Sequence, residues 1–508
     1  MKPKRSCESC RKRHRKCIIR PGATRCSGCD ETDKECTLSP SFQFRPSKFS
    51  DITRVDWGGK SPEEHGASPG PGPGPDPDPD PDPDPETQSQ TSLTSGRESV
   101  PLTDAAVEAR DSIAPWSPAS ARTSGELTQR EAFLYRMWVQ KIALISDALD
   151  DERHFAVTVS RLALEHDVLL NGILGLASRF DRLANGPSGT SADIESAFYH
   201  GRCMELLIGL LNKPAETYDA TLLAAVVLSR LYEENDTETD SLTYHLNGTS
   251  TLLGQEVITR LATKGGLAEA ACWVHLRQAI YIAIVHRQHL NIPLRVYENL
   301  TAFRKADDTS YANRVVYLLA RIVLHYFPQQ PINVGSSPPD DDWKILQEEL
   351  DMWFTLKPVS FNPIYYEPPD ANGGEPFPRM WMASTLATVA LQHYYSGQII
   401  VNLHQSNNPL STGFEATKAI RTNEKFIASS LCVLMGLALS NEQALNAWYL
   451  PCHMLQLCGY VLRNRMEREH TIQYLETVKK QIQWKTAPLI AVLTRQWAEL
   501  DGYEIEER

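Results

Sequence analysis

The sequence predicts three parts of unlike character: a small cysteine-organised head over residues 1–40, a disordered Pro/Asp-rich linker over 41–124, and a large all-α domain over 125–508. Three observations predict this division. Six cysteines recur at regular spacing between Cys7 and Cys36, in a basic segment. Alternating Pro-Gly and then Pro-Asp pairs fill the stretch from Pro69 to Glu86. From Glu126 onward, apolar residues recur at helical spacing, without the strand-and-turn rhythm that an α/β enzyme needs.

The head reads Cys7-x2-Cys10-x6-Cys17-x8-Cys26-x2-Cys29-x6-Cys36, a repeated half-unit of a Cys-x2-Cys pair and a third cysteine six residues on. This spacing suits Zn²⁺, which takes four ligands in a tetrahedron and favours thiolates. Six thiolates satisfy two zinc ions only if two sulfurs bridge. The repeat suggests that the first cysteine of each half is shared, so Cys7 and Cys26 bridge. One ion then takes Cys7, Cys10, Cys17 and Cys26; the other takes Cys7, Cys26, Cys29 and Cys36. A segment this short buries too little apolar surface to fold alone, so metal binding is also its folding energy. A disulfide framework is the main competitor. The opening residues Met1-Lys2-Pro3-Lys4-Arg5 lead into no apolar run, so a reducing compartment is expected. Two Cys-x2-Cys pairs in a basic, strand-free stretch also argue against a thioredoxin-like motif. A metal buffer would be richer in cysteine and would not need the charge.

The segment resembles the fungal binuclear zinc-cluster (Zn2Cys6) transcription factors, whose cysteine pattern all six residues fit. The resemblance implies the ligand scheme above and a short helix after each Cys-x2-Cys, the first of which enters the major groove and reads a CGG-type triplet. The run Arg11-Lys12-Arg13-His14-Arg15-Lys16 matches the family's basic stretch. The resemblance places base contacts on Arg13 and His14 and phosphate contacts on Arg11, Arg15 and Lys16. Two positions depart from the pattern. His14 stands where Lys or Arg is usual, and Thr24 stands where a proline often precedes the fourth cysteine, with Pro21 earlier in a longer loop. Physical chemistry supports the same assignment. Guanine offers O6 and N7 in the major groove, and Arg is their best bidentate partner. Neighbouring cations hold phosphates, which set register and affinity but not sequence. A Lys/Arg run of this kind also serves nuclear import, and the nucleus is the expected compartment.

Charge divides as the parts do. Residues 1–36 carry 11 basic and 5 acidic side chains, whereas the whole chain has a net charge of −12. A basic head on an acidic body is expected where only the head touches nucleic acid. In the linker, alternating proline forbids helix and sheet ladders and the aspartates repel one another. An extended, polyproline-II-like spacer is expected. It lacks the interleaved aromatic and leucine residues that an acidic activation segment uses. No heptad follows Cys36, since Phe42, Phe44, Phe49, Val55 and Trp57 miss a and d spacing. The protein therefore binds as a monomer or pairs as a homodimer through its body.

The body predicts helices over Glu126–Leu149, His154–Phe180, Ile194–Leu211, Thr217–Tyr232, Ser241–Leu253 and Leu267–His289. Further helices are expected over Tyr311–Tyr326, Asp341–Leu356, Met380–His404, Glu415–Leu439, Glu442–Arg463 and Glu469–Leu500. No apolar run is long enough to span a membrane. Several stretches resemble the fungal-specific transcription factor domain that follows such zinc clusters. They are Leu231-Tyr232-Glu233, His245-Leu246-Asn247-Gly248, Trp273 to Tyr281, Pro358 to Ile364, Phe377 to Trp381 and Gln392 to Tyr395. This resemblance implies an all-α regulatory domain, with the transcription machinery or co-regulators as partners.

No nucleophile elbow, phosphate loop or His-Glu-x-x-His motif occurs, so no enzyme is expected. His286 with His289, and His453 with Cys452 and Cys458, are read as core residues rather than a second metal site. Glu233 with His245, and Arg277 with Gln278, are read as polar links between helices. The expected function is a sequence-specific DNA-binding regulator of RNA polymerase II transcription with two Zn²⁺ ions and no other cofactor. The alternative is a zinc-cluster interaction protein or cofactor without specific DNA readout.

Overall fold

A computed structural model of the chain describes residues 126–185, 191–234, 255–328, 340–370, 374–407 and 412–502, together with Arg25, Cys26, Cys29, Thr32 and Leu252. The predicted linker, and the predicted helix over Ser241–Leu253 apart from Leu252, lie outside the described residues. The chain divides into two compact units, Met1–Gly58 and Gly59–Arg508. The described part of the second unit is mostly helical, as the sequence predicts.

The body opens on α1, Gln129–Met137. Thr128 caps it in a capping box: its hydroxyl accepts from the Glu131 amide at 3.2 Å, and Glu131 returns a bond to the Thr128 amide at 2.9 Å. The predicted single helix to Leu149 is instead four pieces, of which α1 is the first. A π-turn over Trp138–Ile142 and a short α-turn lead into a 3-10 turn at Asp147–Leu149. The second predicted helix is also broken, into a π-turn at His154–Val159, one α-turn at Ser160–Ala163, and then α2, Asp167–Asn185. The Asp147 side chain causes part of this. It accepts the amides of Phe155 and Ala156, at 2.8 Å each, and so starts a new turn there.

Helix α3, Ser191–Leu211, lies closely along α2, and α4, Ala220–Glu234, packs on both. A short helix the sequence did not suggest, α5 at Glu256–Ala262, precedes α6 at Leu267–His286. Gly265 and Gly266 turn the chain between them at φ of 89° and 70°, a conformation that glycine adopts without strain. Helix α6 buries 16 of its 20 residues, so it is the central element rather than a surface one. It touches α4, α7 (Asp308–Tyr326) and α11 (Tyr449–Cys458). It stops at His286, short of the predicted His289, because Arg287 turns left-handed at φ 52°.

Helix α8, Asp340–Thr355, leads to the one sheet among the described residues, a hairpin of β1 (Tyr365–Glu367) and β2 (Arg379–Trp381). The sequence placed the next helix from Met380. The structure starts α9 at Thr385 and runs it to Asn407. Tyr366 pairs with Met380, and Tyr365 with Trp381, so aromatic cross-strand packing takes residues that read as helical. Helix α10, Gly413–Ser440, packs along α9 and carries the hairpin. Asn441 locks it there, donating to the Met380 carbonyl at 2.8 Å and accepting the Met382 amide at 2.9 Å.

The last two predicted helices are each divided. Glu442–Arg463 resolves into a 3-10 turn at Leu445–Trp448, α11, and a second 3-10 turn at Gly459–Val461. Glu469–Leu500 resolves into α12 (Arg465–Ile482) and α13 (Ala487–Leu500). Gln483 ends α12 in left-handed backbone, and Pro488 sits in the first turn of α13, where its missing amide costs nothing. No helix among the described residues is long and apolar enough to cross a membrane.

Candidate metal and nucleic-acid site

Of the six predicted ligands, the structure describes Cys26 and Cys29, the Cys-x2-Cys pair of the second half-unit. Cys7, Cys10, Cys17 and Cys36 lie outside the described residues, as do Arg11, Lys12, Arg13, His14, Arg15 and Lys16. The Cys29 amide donates to the Cys26 carbonyl at 3.0 Å, which closes a tight turn, and Cys29 has helical backbone. Both cysteine side chains are fully buried. Two thiols, one turn apart and withdrawn from water, form a donor pair of the softness that zinc prefers. The residues present therefore fit the metal.

In the body, the polar and thiol residues singled out in the sequence fall into place individually. His453 lies among Tyr281 and Trp484, with ring centroids at 4.9 and 5.6 Å. The Cys452 and Cys458 thiols donate to the carbonyls of Trp448 and Met454, one turn back on the same helix. His289 is half-buried and contacts the Phe327 carbonyl at 2.9 Å, and His286 is exposed at the end of α6, so neither is the core residue that the sequence suggests. Among the described residues no group of three or more His, Cys, Asp or Glu is arranged to hold a metal. Burial pushes the imidazoles of His393 and His453 down to about 3, and that of His275 well below its ordinary value. All three are neutral at physiological pH. Burial also pushes the thiols of Cys203 and Cys452 up to about 12, and those of Cys272, Cys432 and Cys458 in the same direction. Protonated thiols of this kind are poor nucleophiles and poor ligands.

The polar links follow the expectation only in part. Glu233 lies 3.9 Å from His200, joining α4 to α3, whereas His245 lies outside the described residues. Arg277 on α6 donates to the Ser146 carbonyl, tying the central helix to the opening segment of the body. Gln278 forms no such link: it is buried, and neither atom of its side-chain amide has a partner. Sequence reasoning also missed a cavity of about 270 Å³ beside Arg277, which Ser146, Asn313 and Asp151 help to line. Its walls come from three separate stretches of chain, and no local motif announces them.

No family model, curated protein or solved structure matches the chain.

Proposed function

We propose that the chain is a DNA-binding regulator of transcription whose zinc-organised head reads a CGG-type triplet in the nucleus. The observation that carries this reading is the six-cysteine repeat enclosing five Lys or Arg residues between Cys10 and Cys17. The buried Cys26–Cys29 turn supports it. Cys7, Cys10, Cys17, Cys26, Cys29 and Cys36 would hold two Zn²⁺ ions, which supply the cross-links that a small basic segment lacks. Arg13 offers two donors to guanine O6 and N7, and His14 contacts the neighbouring base edge. Arg11, Arg15 and Lys16 hold phosphates and fix the register of the helix, with Lys12 adding to the same positive face. The helical body supplies regulation or partner recruitment, and no catalytic role is assigned to it.

His14 favours one second reading, a zinc-cluster interaction protein without specific readout, because it replaces a stronger base contact. Arg13→Ala separates the two. On the proposed reading, competition against non-specific duplex shows a loss of sequence preference of about 1–3 kcal/mol while non-specific binding persists. Unchanged preference in that competition sinks the readout.

A further inference from the structure

The cavity beside Arg277 has a floor and a mouth of opposite chemistry. Ser146, Arg277 on α6 and Asn313 on α7 form the floor, and each is only 3% exposed. Arg277 uses one nitrogen on the Ser146 carbonyl, and no carboxylate among the described residues pairs with it at ion-pair distance. The Ser146 hydroxyl and the Asn313 side-chain oxygen are closed off from the cavity, and the Asn313 amide nitrogen donates to the Leu149 carbonyl at 3.3 Å. A buried guanidinium with donors to spare beside an open cavity is costly unless something fills it.

Toward solvent the wall turns acidic, with Asp150, Asp151 and Asp307. Asp150 is engaged by His154 at 2.8 Å, and Asp307 caps α7 through the Ser310 amide, also at 2.8 Å. Asp151 is exposed, and its amide donates weakly to the Thr309 hydroxyl at 3.4 Å. Burial, and then repulsion from Asp308, Asp150 and Asp307, push its carboxyl up. The basic groups on this wall are His154, already paired, and the exposed Lys305.

We propose that this cavity binds a free α-amino acid, with its carboxylate inward on Arg277 and its ammonium outward among Asp150, Asp151 and Asp307. A volume of about 270 Å³ suits a ligand of this size and excludes a nucleotide. A simple anion would satisfy the floor and leave the acidic mouth unmatched; a simple amine would do the reverse. No residue of the head takes part, so the inference stands apart from DNA recognition.

The test is a thermal-shift screen of the full-length, zinc-loaded protein against each proteinogenic α-amino acid, followed by calorimetric titration of any binder. Each binder is compared with its decarboxylated amine, its 2-deamino acid and inorganic phosphate. At least one amino acid is expected to raise the melting temperature as its concentration rises. Its amine and its deamino acid are expected to bind about tenfold more weakly or worse, since each loses one charge-assisted contact. Asp151→Asn, at an exposed position that folding tolerates, is expected to weaken the amino acid and leave the deamino acid unchanged. Arg277→Gln should abolish binding of both. The proposal is overturned if no amino acid shifts the melting temperature. It is equally overturned if phosphate, the deamino acid or the amine binds as tightly as the parent, or if Asp151→Asn has no effect on the amino acid.

Discussion

Arg130 is an ion held inside the body by two carboxylates. Its guanidinium meets Glu195 at 2.6 and 3.0 Å and Asp181 at 3.0 Å, and both acids are almost fully buried. Burial works against its charge, but Glu195 and Asp181 outweigh it and hold the guanidinium above its ordinary pKa. The Ser178 hydroxyl donates to the same Glu195 at 2.8 Å, so the cluster binds α1 to α2 and α3. Removing the cation leaves buried negative charge unpaired. Arg130→Ala is therefore expected to cost about 3 kcal/mol of stability, read from the urea midpoint. Asp147 shows the opposite balance: burial pushes its carboxyl from 3.8 up to about 7 despite two amide donors. The folded state thus holds a proton that the unfolded state releases between those values. Stability contributed by this group is present at low pH, falls as pH rises through that window, and is flat above it. Comparing unfolding midpoints near pH 5 and pH 8, the fall should be on the order of 2 kcal/mol larger in the native chain than in Asp147→Asn. An equal fall in both would remove Asp147 as the cause.

At the scale of elements, the sequence shows where helices are better than where they break. Ala220–Glu234 and Asp308–Tyr326 fall close to expectation because apolar periodicity runs uninterrupted through them. The breaks at Arg153, Arg287 and Gln483 escape notice because left-handed backbone usually announces itself as Gly or Asn. The hairpin hides for a different reason: Met380 and Trp381 have an apolar character that fits a helix start as well as a strand. Its seat on α10 depends on Gly436, where an added Cβ would lie 2.3 Å from the Pro378 carbonyl oxygen. Gly436→Ala is expected to destabilise by about 1–3 kcal/mol and to expose the hairpin to limited proteolysis before the rest of the body. Cleavage starting elsewhere would show that the close approach is not what holds it.

For the whole molecule, the six cysteines are legible because their spacing is local and their chemistry is narrow. The Arg277 cavity is not, because it needs Ser146, Arg277 and Asn313 brought together from distant stretches. The charge division also reads directly from the chain, and it has a measurable consequence. An acidic body is repelled by phosphates, so affinity for duplex should come from the head and should weaken with salt. Lys16→Ala is expected to lower binding about equally on all sequences and to reduce the salt slope by about 1. An unchanged slope would take Lys16 off the phosphate backbone.

The most direct test of the central claim is selection of binding sites from a random duplex pool with full-length protein whose zinc content is measured on the same sample. The account predicts two zinc ions per chain and enrichment of a CGG-like triplet, single for a monomer or paired at fixed spacing if the body dimerises. A pool that stays random while zinc is bound would contradict it and leave the head as an interaction module.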